Sequence, residues 1–297
     1  MKILLTGRNG QLGFELQRAL APLGRIVACG RNECNLADPE SLRALVRSVQ
    51  PDLIVNPAAY TAVDRAESEA EIAAAVNATA PRILGEEADR LGAWVIHYST
   101  DYVFDGTQTA PYRETDAPNP LGVYGRTKKD GEAALQRTCP RHCILRTSWV
   151  VGAHGHNFAK TMLRLAAERG HLNIVADQYG APTSAALLAD STAQLVGRAG
   201  REGMADFPFG LYHLTAGGVT TWYEFARFIL EQAVRAGRTL RVPPAAVKPI
   251  TTAEYPLPAK RPANSQLDTT LFRTTFGLEL PDWRLGIHHI LQQILTP

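Results

Sequence analysis

Cysteine is scarce in this chain, and its spacing is not typical of a disulfide or zinc framework. The 297 residues contain four cysteines, namely Cys29, Cys34, Cys139 and Cys143. They form no tandem Cys-x-x-Cys motifs, so reduced and buried thiols are the simplest prediction. We expect a cytoplasmic protein, because Met1 leads directly into an apolar strand and leaves no room for a signal peptide.

Long apolar runs and a strong charge of either sign are also missing. No segment approaches the roughly 20 apolar residues that a membrane-spanning helix needs. A formal net charge of +2 is too small, and its charges are too dispersed, to indicate nucleic acid or a membrane as a partner. The chain is 45% hydrophobic with 24 glycines, which is typical of an enzyme with a large core and space for a second lobe.

Short apolar runs alternate with helical patterns in the first half of the chain. Runs typical of buried parallel strands cover residues 3–5, 25–29, 53–56, 94–99 and 143–146. Helices are predicted at residues 11–20, 71–76 and 81–91, and another runs from an N-cap at Asp38 to Val49. This alternation predicts an α/β fold with a doubly wound, Rossmann-like parallel sheet.

The pattern changes after about residue 150. Helices are predicted at residues 158–169, 185–197 and 222–235, and short strands at residues 173–175 and 211–214. The proline-rich segment 242–262 is predicted to be an extended loop without regular structure. We therefore assign residues 1–150 to a dinucleotide-binding domain, allowing for later segments that return to it. Residues 151–297 are assigned mainly to a smaller, mixed α+β substrate-binding lobe.

A turn with three evenly spaced glycines, Gly7, Gly10 and Gly13, joins the first strand to the first helix. Glycine permits a sharp turn there and lets backbone N–H groups and the positive end of the helix approach a pyrophosphate. Three glycines alone are a weak signal, because many strand-to-helix turns need them. Their position at the first strand and first helix predicts a dinucleotide site.

The second predicted strand is followed by Gly30 and Arg31. An Asp or Glu usually stands there in NAD-binding folds and accepts hydrogen bonds from the ribose 2′-hydroxyl. Without a carboxylate a 2′-phosphate meets no repulsion, and the Arg31 guanidinium can pair with it. We therefore predict NADPH as the preferred cofactor, with NADH as a second one that the site can accept. The alternative is that Arg31 is an ordinary solvated arginine.

Tyr124 and Lys128 lie four residues apart, so both project from one face of a helix. Hydride addition to a carbonyl generates an alkoxide, which requires a proton donor. Tyr124 can be that donor, and the Lys128 ammonium is expected to stabilise the phenolate and lower the pKa of Tyr124. Thr100 offers a hydroxyl at the end of the fourth strand, at the edge where such sheets bind ligands. In isolation, Tyr124 is more typical of a residue covering the core from an amphipathic helix, and only the glycine turn together with Ser99 and Thr100 favours the catalytic interpretation.

Longer motifs at residues 56–64, 97–104, 124–128, 146–149, 157–158, 177–183 and 261–265 resemble those of the extended short-chain dehydrogenase/reductases. The resemblance runs almost end to end, and the later motifs are the more specific ones. It implies that NADPH or NADH reduces the C4 ketone of dTDP-4-dehydro-L-rhamnose to give dTDP-L-rhamnose. It also implies that Tyr124 donates the proton, Lys128 is its partner and Thr100 polarises the ketone.

The resemblance further implies a set of binding residues. Gly10, Gln11 and Leu12 would contact the pyrophosphate, and Asn35 and Leu36 would contact the adenine. Ala59, Tyr60 and Thr61 would contact the ribose and the nicotinamide. The cofactor site would also include Gly7, Asn9 and Ala58. Thr100, Asp101 and Trp149 would touch the sugar, and Arg261 the dTDP diphosphate. A core tryptophan and a loop salt bridge are the alternative interpretations of Trp149 and Arg261.

Some family members are similar in the cofactor sheet but form a magnesium-bridged dimer through acidic residues. Here Glu15 is present, but Ala186 and Gln293 stand where carboxylates would be expected. We predict no metal site, because hard divalent cations need anionic oxygens. A monomer and a homodimer both remain open.

Two other functions remain possible interpretations of the sequence. An epimerase or dehydratase of the same superfamily would retain tightly bound NAD, and a dehydratase would want an acid after Asp101, where this chain has Tyr102. A non-catalytic regulatory subunit would keep the fold as a binding module. It need not keep Thr100, Tyr124 and Lys128.

Overall fold

The computed structural model describes residues 1–296. Its strands are β1 (Lys2–Leu5), β2 (Arg25–Ala28), β3 (Leu53–Asn56), β4 (Trp94–Thr100), β5 (His142–Thr147), β6 (Val150–Val151), β7 (Asn173–Val175), β8 (Tyr179–Gly180), β9 (Thr183–Ser184), β10 (Gly210–His213), β11 (Thr220–Thr221) and β12 (Lys248–Ile250).

The helices alternate with the first strands and then become more frequent. They are α1 (Gln11–Leu20), α2 (Pro39–Val49), α3 (Val63–Ala66), α4 (Ala70–Ala74), α5 (Ala80–Leu91), α6 (Val123–Thr138), α7 (Phe158–Glu168), α8 (Ala185–Glu202), α9 (Trp222–Arg235), α10 (Thr270–Phe276) and α11 (Trp283–Leu295). A π-helical turn, Ala75–Thr79, joins α4 to α5, so the two helices predicted there form one continuous element.

The central sheet has six strands in the order β10-β5-β4-β3-β1-β2. All of its strand pairs are parallel. β2 lies on one side of β1 and β3 on the other, so the direction of winding reverses at β1. This topology confirms the predicted doubly wound α/β fold. It also marks the ligand-binding crevice of such folds, which lies where the winding reverses.

Successive side chains of the central strands point to opposite faces of the sheet, and both faces are buried. Ile3 and Leu5 pack in a core with residues of α1 and α8, while Leu4 packs in another core with residues of α2 and α5. Asp38 caps α2 as predicted, because its carboxylate accepts from the N–H groups of Glu40 and Ser41.

The chain beyond residue 150 contributes to two cores. α7, α9 and α11 bury a separate apolar cluster that includes Phe225, Ile229 and Trp283, beside three two-stranded sheets. In contrast, β10 joins the central sheet, and α8 and α10 supply residues to the core beneath it. Later segments therefore return to the first half of the fold.

The prediction of a structureless loop at residues 242–262 is wrong in part. β12 pairs in parallel with β7, and short 3-10 turns cover Pro244–Ala246 and Thr252–Glu254. Pro249 is tolerated in β12 because it belongs to a sheet of only two strands, so its missing N–H can face away from the pairing.

None of the helices in residues 1–296 combines the length and apolar character that crossing a bilayer requires. The four cysteines are free and buried.

Candidate active site

The glycine turn lies at the carboxyl end of β1 and has a shape that only glycine allows. Gly7 has a positive φ of 61°, and a Cβ there would lie 2.9 Å from the Cβ of Ala58. A Cβ on Gly13 would lie 2.0 Å from the carbonyl oxygen of Gly7. α1 starts at Gln11, and no side chain caps its N-terminus. The turn therefore leaves backbone donors at a helix N-terminus, a cradle that fits a pyrophosphate.

The other predicted residues of this turn have distinct surroundings. The Gln11 amide bonds to the carbonyl oxygen of Val150, the N–H of Gly152 and the side chain of Asn157. Asn9 is exposed, whereas Leu12 is buried in the core, so a contact from Leu12 to a pyrophosphate would use its backbone. Gln11 thus fastens the turn to the segment around β6.

A carboxylate does lie at the end of β2, contrary to the sequence-based expectation. Glu33 accepts from the Gly30 N–H at 2.8 Å and from Arg8 Nη2 at 2.6 Å. The pKa of Glu33 is lowered, chiefly by the Gly30 N–H. Arg31 is exposed beside this pair. The chain thus brings both an acid and arginines to the region where nucleotide-binding folds distinguish the two nicotinamide cofactors.

The two predicted adenine contacts follow shortly afterwards. Asn35 is exposed, and its Oδ1 accepts from the Ala37 N–H at 3.1 Å. Leu36 packs partly against the core on the α2 side of the sheet. Of these two residues, Leu36 therefore offers the apolar surface.

The loop after β3 carries Ala58, Ala59, Tyr60 and Thr61, and a side chain from the π-helical turn holds it. Asn77 accepts from the Tyr60 N–H at 2.8 Å and donates to the Tyr60 carbonyl oxygen at 3.1 Å. Its amide nitrogen also lies 3.2 Å from the Thr127 hydroxyl on α6. Asn77 thus ties the predicted ribose and nicotinamide loop to the helix of Tyr124. Sequence analysis missed this residue.

Tyr124 lies in the first turn of α6 and Lys128 one turn later, as predicted. A Cβ on Gly125 would lie 2.1 Å from the Tyr102 carbonyl oxygen, so glycine permits α6 to start against that segment. The rings of Tyr102 and Tyr124 meet edge to face with centroids 5.9 Å apart. This packing fixes the plane of the phenol.

The expectation that Lys128 lowers the pKa of Tyr124 is wrong for this structure. Burial raises the pKa of Tyr124 to about 12, with the Thr100 hydroxyl opposing the shift. The amine of Lys128 donates instead to the carbonyl oxygen of Tyr98 at 2.6 Å and contacts His97 Nε2 at 3.2 Å. Burial lowers the pKa of Lys128 to about 8. Desolvation therefore outweighs the attraction that the spacing suggested.

Thr100 ends β4 at the carboxyl edge of the sheet, and Asp101 follows it directly, both next to Tyr124. The Thr100 hydroxyl donates to Asp101 Oδ1 at 2.9 Å, and burial raises the pKa of Asp101 to about 7. Within residues 1–296, three buried polar atoms at this edge lack a hydrogen-bond partner: Ser99 Oγ, Asp101 Oδ2 and Thr147 Oγ1. Buried polar groups rarely stay unpaired, so this edge suits a polar ligand.

Trp149 follows β5 with a strained backbone. Its φ of 45° lies in the left-handed region, which is unusual for a bulky residue. The ring stacks on Trp222 with centroids 3.6 Å apart, and a Cβ on Gly180 would lie 2.7 Å from it. Trp149 is only partly buried and packs against the apolar cluster of α7, α9 and α11, so part of this aromatic ring stays accessible.

Arg261 forms the loop ion pair that was one of its two interpretations. Its guanidinium bonds to both carboxylate oxygens of Asp64, at 3.0 and 2.8 Å, and to the carbonyl oxygen of Ala259. A role at the diphosphate stays a prediction, and it would require Asp64 to share this cation.

Among residues 1–296, no group of three His, Cys, Asp or Glu side chains is arranged to hold a metal ion. Glu15 is buried at 8% exposure and lies 3.3 Å from Arg18.

Known proteins resemble this chain along its whole length. The family model for the RmlD substrate binding domain matches residues 1–296. The dTDP-4-dehydrorhamnose reductase of Escherichia coli K12 is 50% identical over 100% of this chain and 99% of its own length. The crystal structure of the Clostridium acetobutylicum dTDP-4-dehydrorhamnose reductase has a TM-score of 0.91, with 33% identity and complete coverage of both chains. That of the Bacillus anthracis enzyme in complex with NADP has a TM-score of 0.89, with 32% identity over 98% of this chain and 99% of that one. The chain therefore belongs to the dTDP-4-dehydrorhamnose reductase family.

Proposed function

We propose that this protein reduces the C4 ketone of dTDP-4-dehydro-L-rhamnose to dTDP-L-rhamnose with NADPH, and that Tyr124 donates the proton. One observation supports the proposal above all: the Thr100 hydroxyl, at the end of β4, lies within hydrogen-bonding range of the Tyr124 phenol. Lys128, one turn after Tyr124 on α6, bonds to the carbonyl oxygen of Tyr98 on the same strand. The family membership supports the choice of sugar nucleotide.

The bound cofactor would supply a hydride to the C4 carbon. Tyr124 holds the proton that the resulting alkoxide needs, and burial keeps this phenol protonated at neutral pH because its pKa is about 12. Thr100 can turn its hydroxyl from Asp101 to the ketone oxygen and polarise it. Lys128 supplies positive charge one turn from the phenol.

The cofactor is proposed to lie on residues 1–150, and the sugar nucleotide mainly against residues 151–297. The uncapped N-terminus of α1 supports a pyrophosphate at the glycine turn. The Bacillus anthracis relative was solved with NADP, which supports NADPH. Trp149 would place its accessible ring against the methyl-bearing side of the deoxysugar. Asp101, with its unpaired Oδ2, would bind a sugar hydroxyl.

The test is the loss of reduced-nicotinamide absorbance with enzymatically prepared dTDP-4-dehydro-L-rhamnose. We expect oxidation of one NADPH for each dTDP-L-rhamnose formed, with the sugar identified by mass spectrometry. dTDP-glucose, which has no ketone, is the matched control and should give no oxidation. Unchanged NADPH with the keto-sugar would reject the proposed function.

Cofactor preference gives a separate prediction, since Arg31 and Glu33 flank the proposed ribose site. Replacing Arg31→Ala should raise KM for NADPH about tenfold or more and leave KM for NADH nearly unchanged, because a charge-assisted hydrogen bond contributes about 1.5–3 kcal/mol. Replacing Glu33→Gln should lower KM for NADPH, because it removes repulsion and releases Arg8 from its ion pair. Steady-state kinetics with both cofactors measures these changes.

Arg25→Ala is the control for the arginine variant, since Arg25 is exposed at the opposite end of β2. It should change neither KM. Equal losses for both cofactors in Arg31→Ala would contradict a phosphate role, and an unchanged NADPH to NADH ratio in Glu33→Gln would contradict the role of the acid.

A further inference from the structure

A buried chain of hydrogen bonds runs from the glycine turn to Lys128. The Thr6 hydroxyl contacts Asn56 Oδ1 at 2.6 Å, Asn56 Nδ2 contacts His97 Nδ1 at 3.0 Å, and His97 Nε2 contacts the Lys128 amine at 3.2 Å. All four side chains are at most 1% exposed. The chain therefore joins the strand before the cofactor turn to the lysine without contact with solvent.

The imidazole of His97 is neutral in this position. Burial, with a further contribution from the charge of Lys128, holds the pKa of His97 well below its usual range. A neutral imidazole has one N–H and one acceptor nitrogen. In the arrangement where the Asn56 amide nitrogen donates to Nδ1, the proton of His97 lies on Nε2 and faces the lysine.

An Nε2–H can bond only to an amine that has lost its proton. An ammonium on Lys128 requires the opposite arrangement, in which Nε2 accepts and Nδ1–H donates to Asn56. Rotating the Asn56 side-chain amide by half a turn produces that arrangement, because the amide oxygen then faces His97 Nδ1. The amide nitrogen then donates to the Thr6 hydroxyl, and a hydroxyl can accept as well as donate. The chain thus has two complete hydrogen-bonding arrangements, one for each charge state of Lys128.

We propose that His97 is a positioning residue for Lys128, and that it exchanges tautomer as the lysine gains or loses its proton. Asn56 and Thr6 make both tautomers available without leaving a buried polar atom unpaired. The inference rests on the proposed function, since it gives the lysine beside Tyr124 a partner that accepts from its ammonium. Nothing in the hydride-transfer chemistry itself requires this histidine.

Two neutral polar groups of β4 contact the Lys128 amine: the carbonyl oxygen of Tyr98 at 2.6 Å and the His97 imidazole at 3.2 Å. Of the two, only the imidazole can change from acceptor to donor. Glu132, on the same helix, raises the pKa of Lys128, but Glu132 is itself paired with Arg146 of β5. Tyr124 lies one turn earlier on α6, and Asp101 follows β4. Burial opposes the ammonium. Loss of an acceptor at His97 should therefore lower the pKa of Lys128 further.

The first test uses the pH dependence of kcat. Turnover should fall as pH rises through the pKa of Lys128, because the positive charge one helical turn from the phenol and the reacting ketone is then lost. In His97→Leu we expect this fall about one pH unit lower than in the unaltered enzyme, because the ammonium has then lost one of its two acceptors on β4. His97→Gln offers an amide oxygen to the lysine and should restore the position of the fall.

His142→Leu is the matched control, because it removes another buried histidine, from the opposite end of the neighbouring strand β5. It should lower stability without moving the pH profile. An unmoved profile in His97→Leu, or an equal movement in the control, would overturn the proposal.

The second test does not depend on turnover or on a variant that folds. Nitrogen NMR of the protein with labelled histidine reports which ring nitrogen of His97 carries the proton. We expect a neutral imidazole that changes from the Nδ1–H to the Nε2–H form as pH rises through about 8, the pKa of Lys128. A single tautomer across this range would refute the exchange, even where the protein reduces the keto-sugar. Failure of the proposed function would leave this readout unaffected.

Discussion

Replacing Tyr124→Phe should lower kcat for ketone reduction by about a hundredfold or more, the range associated with loss of general acid catalysis. The substitution removes only a hydroxyl, and the ring can keep its edge-to-face contact with Tyr102. We therefore expect NADPH to bind with nearly unchanged affinity. Single-turnover rates with saturating NADPH measure the first effect, and quenching or enhancement of nicotinamide fluorescence measures the second.

Tyr212→Phe provides the matched control for this variant. The Tyr212 hydroxyl is also used in a hydrogen bond, to the carbonyl oxygen of Pro208 at 2.7 Å, but it lies at the edge strand β10. Its loss should leave kcat within about threefold of the unaltered enzyme, because no reacting group depends on it. Turnover of Tyr124→Phe at the normal rate would reject Tyr124 as the proton donor and leave the family membership intact.

Replacing Glu132→Gln should destabilise the fold by about 3–5 kcal/mol, because it leaves the buried Arg146 cation without its counter-charge. Arg146 Nε and Nη2 bond to the two oxygens of Glu132 at 2.9 and 2.7 Å, and both side chains are at most 4% exposed. The loss is a large share of the roughly 5–15 kcal/mol that stabilises a typical domain. Urea unfolding followed by circular dichroism measures it as a lower midpoint.

The exposed ion pair of Arg198 and Glu202 is the matched control, because it tests whether the destabilisation comes from burial or from the loss of an ion pair alone. Its N–O distance, 2.7 Å, equals that of the buried pair, but its side chains are 30% and 58% exposed. Glu202→Gln should cost less than about 1 kcal/mol, since exposed ion pairs contribute little. Equal destabilisation by the two substitutions would show that burial is not the reason for the large effect.

The central strands were predictable because they are buried on both faces and appear as unbroken apolar runs. The spacing of Tyr124 and Lys128 likewise indicated one helix face, and α6 presents them so. In both cases a local pattern carries the information.

Contacts that depend on the shape of a turn or on the reach of a side chain were not predictable in this way. Glu33 reaches the end of β2 only because the chain turns back there, so its carboxylate meets the Gly30 N–H three residues earlier. Asn77 lies in an alanine-rich helical segment whose sequence does not indicate a functional residue. The feature that marks Asn77 is the π-helical turn Ala75–Thr79, a type of turn that is frequent at functional sites but is visible only in the structure. The Lys128 side chain is long enough for its buried amine to bond to the carbonyl oxygen of Tyr98 on β4. The spacing of Tyr124 and Lys128 in the sequence does not predict this contact.

The return of α8 and α10 to the central sheet has a consequence for how the protein can be divided. A fragment that stops at residue 150 would lack Leu188, Val196 and Phe272, and it would expose the apolar sheet face that they cover. Such a fragment should aggregate rather than fold. Residues 1–150 are thus not an autonomous folding unit. Exchanging them between homologous proteins would require the distant helices α8 and α10 to be exchanged as well.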